Sequence, residues 1–252
     1  MHMATKTKNK EDVFQEDENI KNGNEVIIEF DNVSKIFKDD SLALADACFK
    51  INAGDFVSFV GPSGAGKSTI LKLISSEEAP TSGTIFFDGS PLNKIKRSKV
   101  PLHRRNIGTV FQDFKLLNKK TVFENVAYAL EVCGAPASEI QENVPQILDI
   151  VGLGDKMEKF PKQLSGGEQQ KVALARALIH KPIVILADEP TGNLDSASSV
   201  EIVELLLKIN ELGTTILLAS HDKEIVNKAS RRVICLDKGK IVGDLAKSKY
   251  KM

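Results

Sequence analysis

Apolar and polar positions along the chain follow two rhythms, one of strand length and one of helical spacing. Val26-Ile27-Ile28-Glu29-Phe30 is a β-rich run, and Leu42 to Ile51 is a second strand-like segment closing at the turn Asn52-Ala53-Gly54-Asp55. Phe56-Val57-Ser58-Phe59-Val60 is a short apolar strand that stops at Gly61, after which Ile70, Leu71, Leu73 and Ile74 share one helical face. Ser82 to Ser90 reads as a further strand with glycine near both ends. Thr121 with Glu124, Ser138 with Gln141, and Ser165 with Glu168 each form a capping-box pattern. They predict helices over roughly 122–133, over 139–151 ended by Gly152, and from Ser165 to about His180, where Pro182 forbids continuation. Ile183 to Ala187 and Thr214 to Ala219 are unbroken apolar runs, as in a parallel sheet buried on both faces. A helix from about Ala197 to Glu211 between them completes a βαβ unit. The class is α/β, with a β-rich N-terminal portion and an inserted helical lobe.

Composition narrows the field. The chain has 252 residues and 27.5 kDa, enough for one large domain or a core carrying a subdomain. Thirty-four basic residues balance thirty-four acidic ones, which excludes a surface built throughout for nucleic acid. One segment departs from that balance: Lys94 to Arg105 holds six basic residues and no acidic one. It is read as a solvated loop leading into a strand, with a face toward anionic lipid as the second reading. Cys48, Cys133 and Cys235 lack C-x-x-C spacing and are expected as small buried residues in a reducing cytosol. Apolar runs reach about five residues where a membrane helix needs roughly 20, and no apolar leader opens the chain. A cytoplasmic protein is expected. Residues 1–24 are too polar to offset their ordering entropy and are expected to be a disordered tail, and 247–252 a basic C-terminal tail.

The chemistry starts at Gly61, Pro62, Ser63, Gly64, Ala65, Gly66, Lys67 and Ser68, which match G-x-x-x-x-G-K-[ST] between an apolar strand and an amphipathic helix. Glycines let backbone N–H groups converge on phosphate oxygens, and the helix N-terminus adds its positive dipole end. Lys67 supplies charge for the β- and γ-phosphates, and the Ser68 hydroxyl is a Mg²⁺ ligand. Ile183 to Ala187 ends in Asp188, a carboxylate at a strand terminus placed to hold Mg²⁺, and Glu189 can deprotonate the attacking water. Together these residues bind and hydrolyse a nucleoside triphosphate with Mg²⁺.

Further motifs, in order, resemble those of the ATP-binding cassette (ABC) ATPases. Leu164-Ser165-Gly166-Gly167-Glu168 looks like that family's signature, a second helix N-terminus with two glycines and a hydroxyl. Gln112 resembles the Q-loop glutamine that reaches Mg²⁺ and the attacking water, and His221 the switch histidine at the γ-phosphate. Asn193-Leu194-Asp195 resembles the D-loop. Phe37 falls where the family places an aromatic, usually Tyr, that stacks on adenine, and Thr69 completes the phosphate loop. The resemblance implies a P-loop NTPase of ABC type over residues 25–246: a RecA-like core, an antiparallel β subdomain, and a helical subdomain at about 113–164. It also implies a homodimer with each ATP held between the phosphate loop of one copy and Ser165, Gly166, Gly167 and Glu168 of the other.

Local wording narrows the branch. Val100 through Leu117, Asp155-Lys156-Met157 and Ala187 through Asp195 look like the cell-division ATPases of that family. Those work with an integral membrane subunit on the inner face of the cell membrane, and signal to peptidoglycan hydrolases rather than move a solute. No nucleic-acid partner is expected. The alternative branch is the ATPase of a lipoprotein-releasing or macrolide-export system.

Overall fold

The computed structural model describes residues 25–246; the expected tails 1–24 and 247–252 lie outside the described residues. The first strands form an antiparallel sheet in which β1 (Val26–Ile36) lies between β2 (Leu42–Asn52) and β4 (Ser82–Phe87), with β5 (Ser90–Pro91) beside β4. Between β2 and β4 the chain crosses into a second sheet through β3 (Phe56–Val60) and α1 (Lys67–Ile74). β6 (Ile107–Phe111), β7 (Val184–Asp188), β8 (Thr215–Ser220), β9 (Arg232–Asp237) and β10 (Lys240–Leu245) complete it in the order β10-β9-β3-β8-β7-β6. Only β9 and β10 pair antiparallel there.

Seven helices cover these sheets among the described residues: α1, α2 (Val100–Arg104), α3 (Val122–Cys133), α4 (Ala137–Ile150), α5 (Gly166–Leu178), α6 (Ser196–Glu211) and α7 (Lys223–Ala229). Strand alternation feeds two cores. Val184, Leu186, Leu217 and Ala219 pack toward α1 and the antiparallel sheet, while Ile185, Ala187, Ile216 and Leu218 pack toward α3, α4, α5 and α6. That is why these strands read as continuous apolar runs. Phe49 ties the two sheets, stacking on Phe30 at 4.4 Å and meeting Phe59 edge-on at 5.7 Å.

Several expectations need correction. α4 begins at Ala137 behind Pro136, and Ser138 caps nothing; proline has no N–H to lose at a helix start, so the first turn forms earlier than the Ser138 pattern suggests. The run Ser82 to Ser90 is no single strand, because Asp88 (φ 50°) and Gly89 (φ 68°) form a hairpin turn between β4 and β5. The cysteines are not buried: Cys48 is exposed and Cys133 and Cys235 are half-buried, with Cys48 on the outward side of β2.

Candidate functional site

Strand register builds the site. Val60 lies opposite Ser220, Asp188 opposite Ala219, and Phe111 opposite Asp188, so β3, β8, β7 and β6 end level at their carboxyl ends. The residues that follow, Gly61, His221, Glu189 and Gln112, therefore emerge along one rim, where ligands of open parallel sheets collect.

The turn from Gly61 to Gly66 closes tightly against other backbone. A Cβ on Gly61 would stand 2.2 Å from the Leu236 carbonyl, and one on Gly66, at φ +106°, 2.4 Å from the Ala43 carbonyl. Only glycine fits either place. Lys67 opens α1 and is buried to 5% exposure; its Nζ donates to the carbonyls of Gly61 (2.9 Å) and Pro62 (3.1 Å) and stands 3.7 Å from Glu189 Oε1. Next to it, Ser68 Oγ donates to Asp188 Oδ1 at 2.8 Å. Burial pushes the Asp188 carboxyl above its ordinary range; the Ser68 bond pulls it back, and Glu189 pushes it up again. A partly desolvated carboxylate beside a hydroxyl is a donor set that fits a hard divalent cation such as Mg²⁺.

Glu189 carries a strained backbone. Its φ of 50° lies in the left-handed region although proline follows, and two bonds hold it there: its N–H to the Ala219 carbonyl (2.9 Å) and Gly192 N–H to its own carbonyl (3.0 Å). The conformation carries its carboxylate to His221, whose Nδ1 lies 2.6 Å from Glu189 Oε2. Lys67, Ser68, Asp188, Glu189 and His221 thus form one linked array.

Other candidates stand apart from it. Gln112 is exposed and pairs with Asn193: its Nε2 donates to Asn193 Oδ1 (3.3 Å), and Asn193 Nδ2 donates to the Gln112 carbonyl (3.1 Å). Ser165 is the N-cap of α5, accepting from Glu168 N–H at 3.3 Å, while Ser165 N–H donates to Glu168 Oε2 at 2.9 Å. Lys156 pairs with Glu168 and holds that carboxyl below its usual range. The bonds of Ser165 and Glu168 stay within this corner; Gly166 approaches Leu194 of the D-loop, and Gly167 approaches Ser198 just beyond it. Phe37 is half-exposed in the turn after β1, with Lys35 Nζ 5.1 Å from its ring centre, so it is not a core residue.

Three residues of this region escape pattern reading. Gln170 is fully buried, and its Nε2 donates to the Pro190 carbonyl (2.6 Å) and the Phe111 carbonyl (3.3 Å), tying α5 to the residues beside Glu189 and Gln112. Asn125 is also fully buried and clamps the stretch after the Q-loop, donating to the carbonyls of Leu117, Lys120 and Thr121. Arg176 donates to the carbonyls of Phe114 (3.0 Å) and Lys115 (2.8 Å), which sit at φ 57° and 48°. The one cue in the sequence is that Gln170 and Asn125 are polar residues on otherwise apolar helix faces.

The sequence pattern of the ABC transporter family covers residues 44–192. The chain belongs to the ABC transporter ATPase family. This cassette ATPase is 50% identical over 224 residues to the cell division ATP-binding protein FtsE of Bacillus subtilis, covering 89% of the chain and 98% of the relative. Its fold is similar to that of cbiO1 from Clostridium perfringens, part of the transporter complex cbiONQ, with TM-score 0.82, 30% identity, and 88% and 89% of the two chains covered. MJ0796, solved as a dimer in a post-hydrolysis state bound to ADP and Pi, gives TM-score 0.78 at 34% identity, covering 88% of this chain and all of that one. As a member of the family the cassette binds ATP and is an ATPase. Among the described residues no helix is long and apolar enough to cross a membrane.

Proposed function

We propose that this cassette is the ATP-hydrolysing subunit of a cell-division complex of the FtsE type, docked through an integral membrane subunit of the FtsX type on the inner face of the cell membrane. It acts as a homodimer closing around ATP, and its turnover controls peptidoglycan hydrolysis rather than the passage of a solute. The observation that carries the catalytic part is the linked array of Lys67, Ser68, Asp188, Glu189 and His221. The cell-division branch is favoured over a lipoprotein-releasing or macrolide-export ATPase by 50% identity across nearly the whole of a cell-division relative.

In this reading Phe37 stacks on adenine, and the loop from Gly61 to Thr69 wraps the phosphates with Lys67 among their oxygens. Ser68 and Asp188, with Gln112 swung from Asn193, would hold Mg²⁺, which neutralises charge on the β- and γ-phosphates when bound. Glu189 positions the water and takes its proton as the water oxygen bonds the γ-phosphorus. The bond to the β,γ-bridging oxygen breaks, leaving ADP and phosphate. His221 fixes the Glu189 carboxylate through the 2.6 Å contact and presents its exposed edge to the γ-phosphate. The exposed Ser165 and the glycines after it serve the nucleotide of the partner copy, since Ser165 and Glu168 bond each other and Lys156 rather than the phosphate loop of their own chain.

Substituting Glu189→Gln tests the assignment: steady-state hydrolysis is lost while ATP binding remains. Lys67→Ala weakens ATP binding itself, because that contact exists before chemistry. Turnover at the wild-type rate in the Glu189 variant overturns the reading.

A further inference from the structure

The basic segment before β6 is mounted rigidly rather than looping freely into solvent. Leu92 is buried beneath it and Ile95 packs on the same core. His103 is buried, its ring edge-on to Phe87 at 4.8 Å and its Nε2 2.8 Å from the Ile74 carbonyl. Arg104 donates to the carbonyls of Ser75 and Ser76 at the end of α1. With these anchors turned inward, Lys94, Lys96, Arg97 and Lys99 are all exposed, and none has an ion-pair partner among the described residues. No acidic residue occurs between Asp88 and Asp113. Leu102, beside the cations, exposes 47% of its surface.

The location matters as much as the charge. β6 is the edge strand of its sheet, with the basic segment entering one end and the loop holding Phe114 and Leu117 leaving the other, ~17 Å away. Arg105 donates to the Val132 carbonyl near the far end of α3, whose near end borders that same loop. A membrane subunit docking on the half-buried Phe114 and Leu117 of that loop would lie along the same edge of the molecule as the basic segment.

We propose that Lys94, Lys96, Arg97 and Lys99, with Leu102, form a docking face for the anionic phospholipid headgroups of the bilayer around the membrane subunit. The inference rests on the membrane-bound reading above. Lipid fits better than nucleic acid because no aromatic residue lies between Phe87 and Phe111 to stack on bases, whereas an exposed leucine among cations suits a headgroup layer. Each cation near an anionic leaflet raises partitioning about fivefold.

Co-sedimentation of the full chain with phosphatidylcholine vesicles, with and without phosphatidylglycerol, at about physiological salt tests this directly. Binding is expected only where phosphatidylglycerol is present. It falls at least about tenfold when Lys94, Lys96, Arg97 and Lys99 are all changed to Ser, with ATP turnover and melting temperature unchanged. Equal binding to both vesicles, no binding to either, or undiminished binding of the fourfold variant overturns the proposal. So does a duplex oligonucleotide that displaces the vesicles, which would make the face a nucleic-acid surface. Co-purification with the membrane subunit separates the two ideas: its loss in Phe114→Asp while vesicle binding persists leaves the lipid face standing, and undiminished vesicle binding by the fourfold variant overturns the lipid face without touching that docking.

Discussion

Asp188 is placed where folding and function pull in opposite directions. Burial raises its pKa, so the folded chain holds that proton more tightly than the unfolded chain does. The sign follows from linkage: the contribution is most favourable below the ordinary aspartate value of 3.8 and is lost as pH rises through the raised folded value. At neutral pH without nucleotide, an ionised Asp188 opposes folding. Asp188→Asn keeps an acceptor for Ser68 and removes the half-buried charge. Its melting temperature without nucleotide should exceed that of the wild type near pH 7, with the difference shrinking toward pH 4, while Mg²⁺ no longer strengthens ATP binding. Calorimetry across that range gives the result, and a variant less stable than wild type at pH 7 would show that Asp188 is held chiefly by its partners. The strain at Glu189 belongs to the same scale. Nothing in Asp188-Glu189-Pro190 announces a left-handed residue before proline, because the conformation is imposed by bonds to Ala219 and Gly192 that exist only once β7 and β8 are paired.

At the scale of elements, local signals were legible where a local cause fixes the outcome. β3 and α3 have the bounds that their apolar runs and caps predict, because Gly61 stops one and the Thr121–Glu124 box starts the other. Thr121→Ala removes the cap and should lower stability by about 1 kcal/mol in urea titration. Ser138 misled because capping competes with the start that Pro136 already provides. β9 and β10 carry no such local announcement: β9 takes its register from β3, and β10 takes its own from β9. Long-range ties were invisible for the same reason. Gln170→Met conserves volume but strands the Pro190 carbonyl, while the Phe111 carbonyl keeps the Phe114 N–H; it should cost ~1–3 kcal/mol by denaturant unfolding, and no loss would mean that water replaces the Pro190 bond. The loop after Gln112 is held by Arg176 with Phe114 and Lys115 left-handed, leaving Phe114 half-buried near Gly166. Aspartate tolerates that backbone, so Phe114→Asp should abolish co-purification with the membrane subunit while basal ATPase and melting temperature change little. Normal co-purification would move the docking site elsewhere.

For the whole molecule, the parallel sheet collects the phosphate loop, Asp188, Glu189 and His221 on one rim, while α5 carries Ser165 to a separate corner bounded by Leu194 and Ser198. Residue types and order could reveal both halves, but which atoms meet depends on strand register. In the proposed function the two halves of a nucleotide site come from two copies, because the bonds of Ser165 and Glu168 do not reach the phosphate loop of their own chain. Light scattering on size-exclusion chromatography of Glu189→Gln with Mg²⁺ and ATP measures this most directly. The variant should elute as a dimer with ATP and as a monomer without it, and adding Ser165→Arg should return it to monomer while each chain still binds nucleotide. A dimer indifferent to both ATP and Ser165, or a monomer throughout, would contradict the shared site.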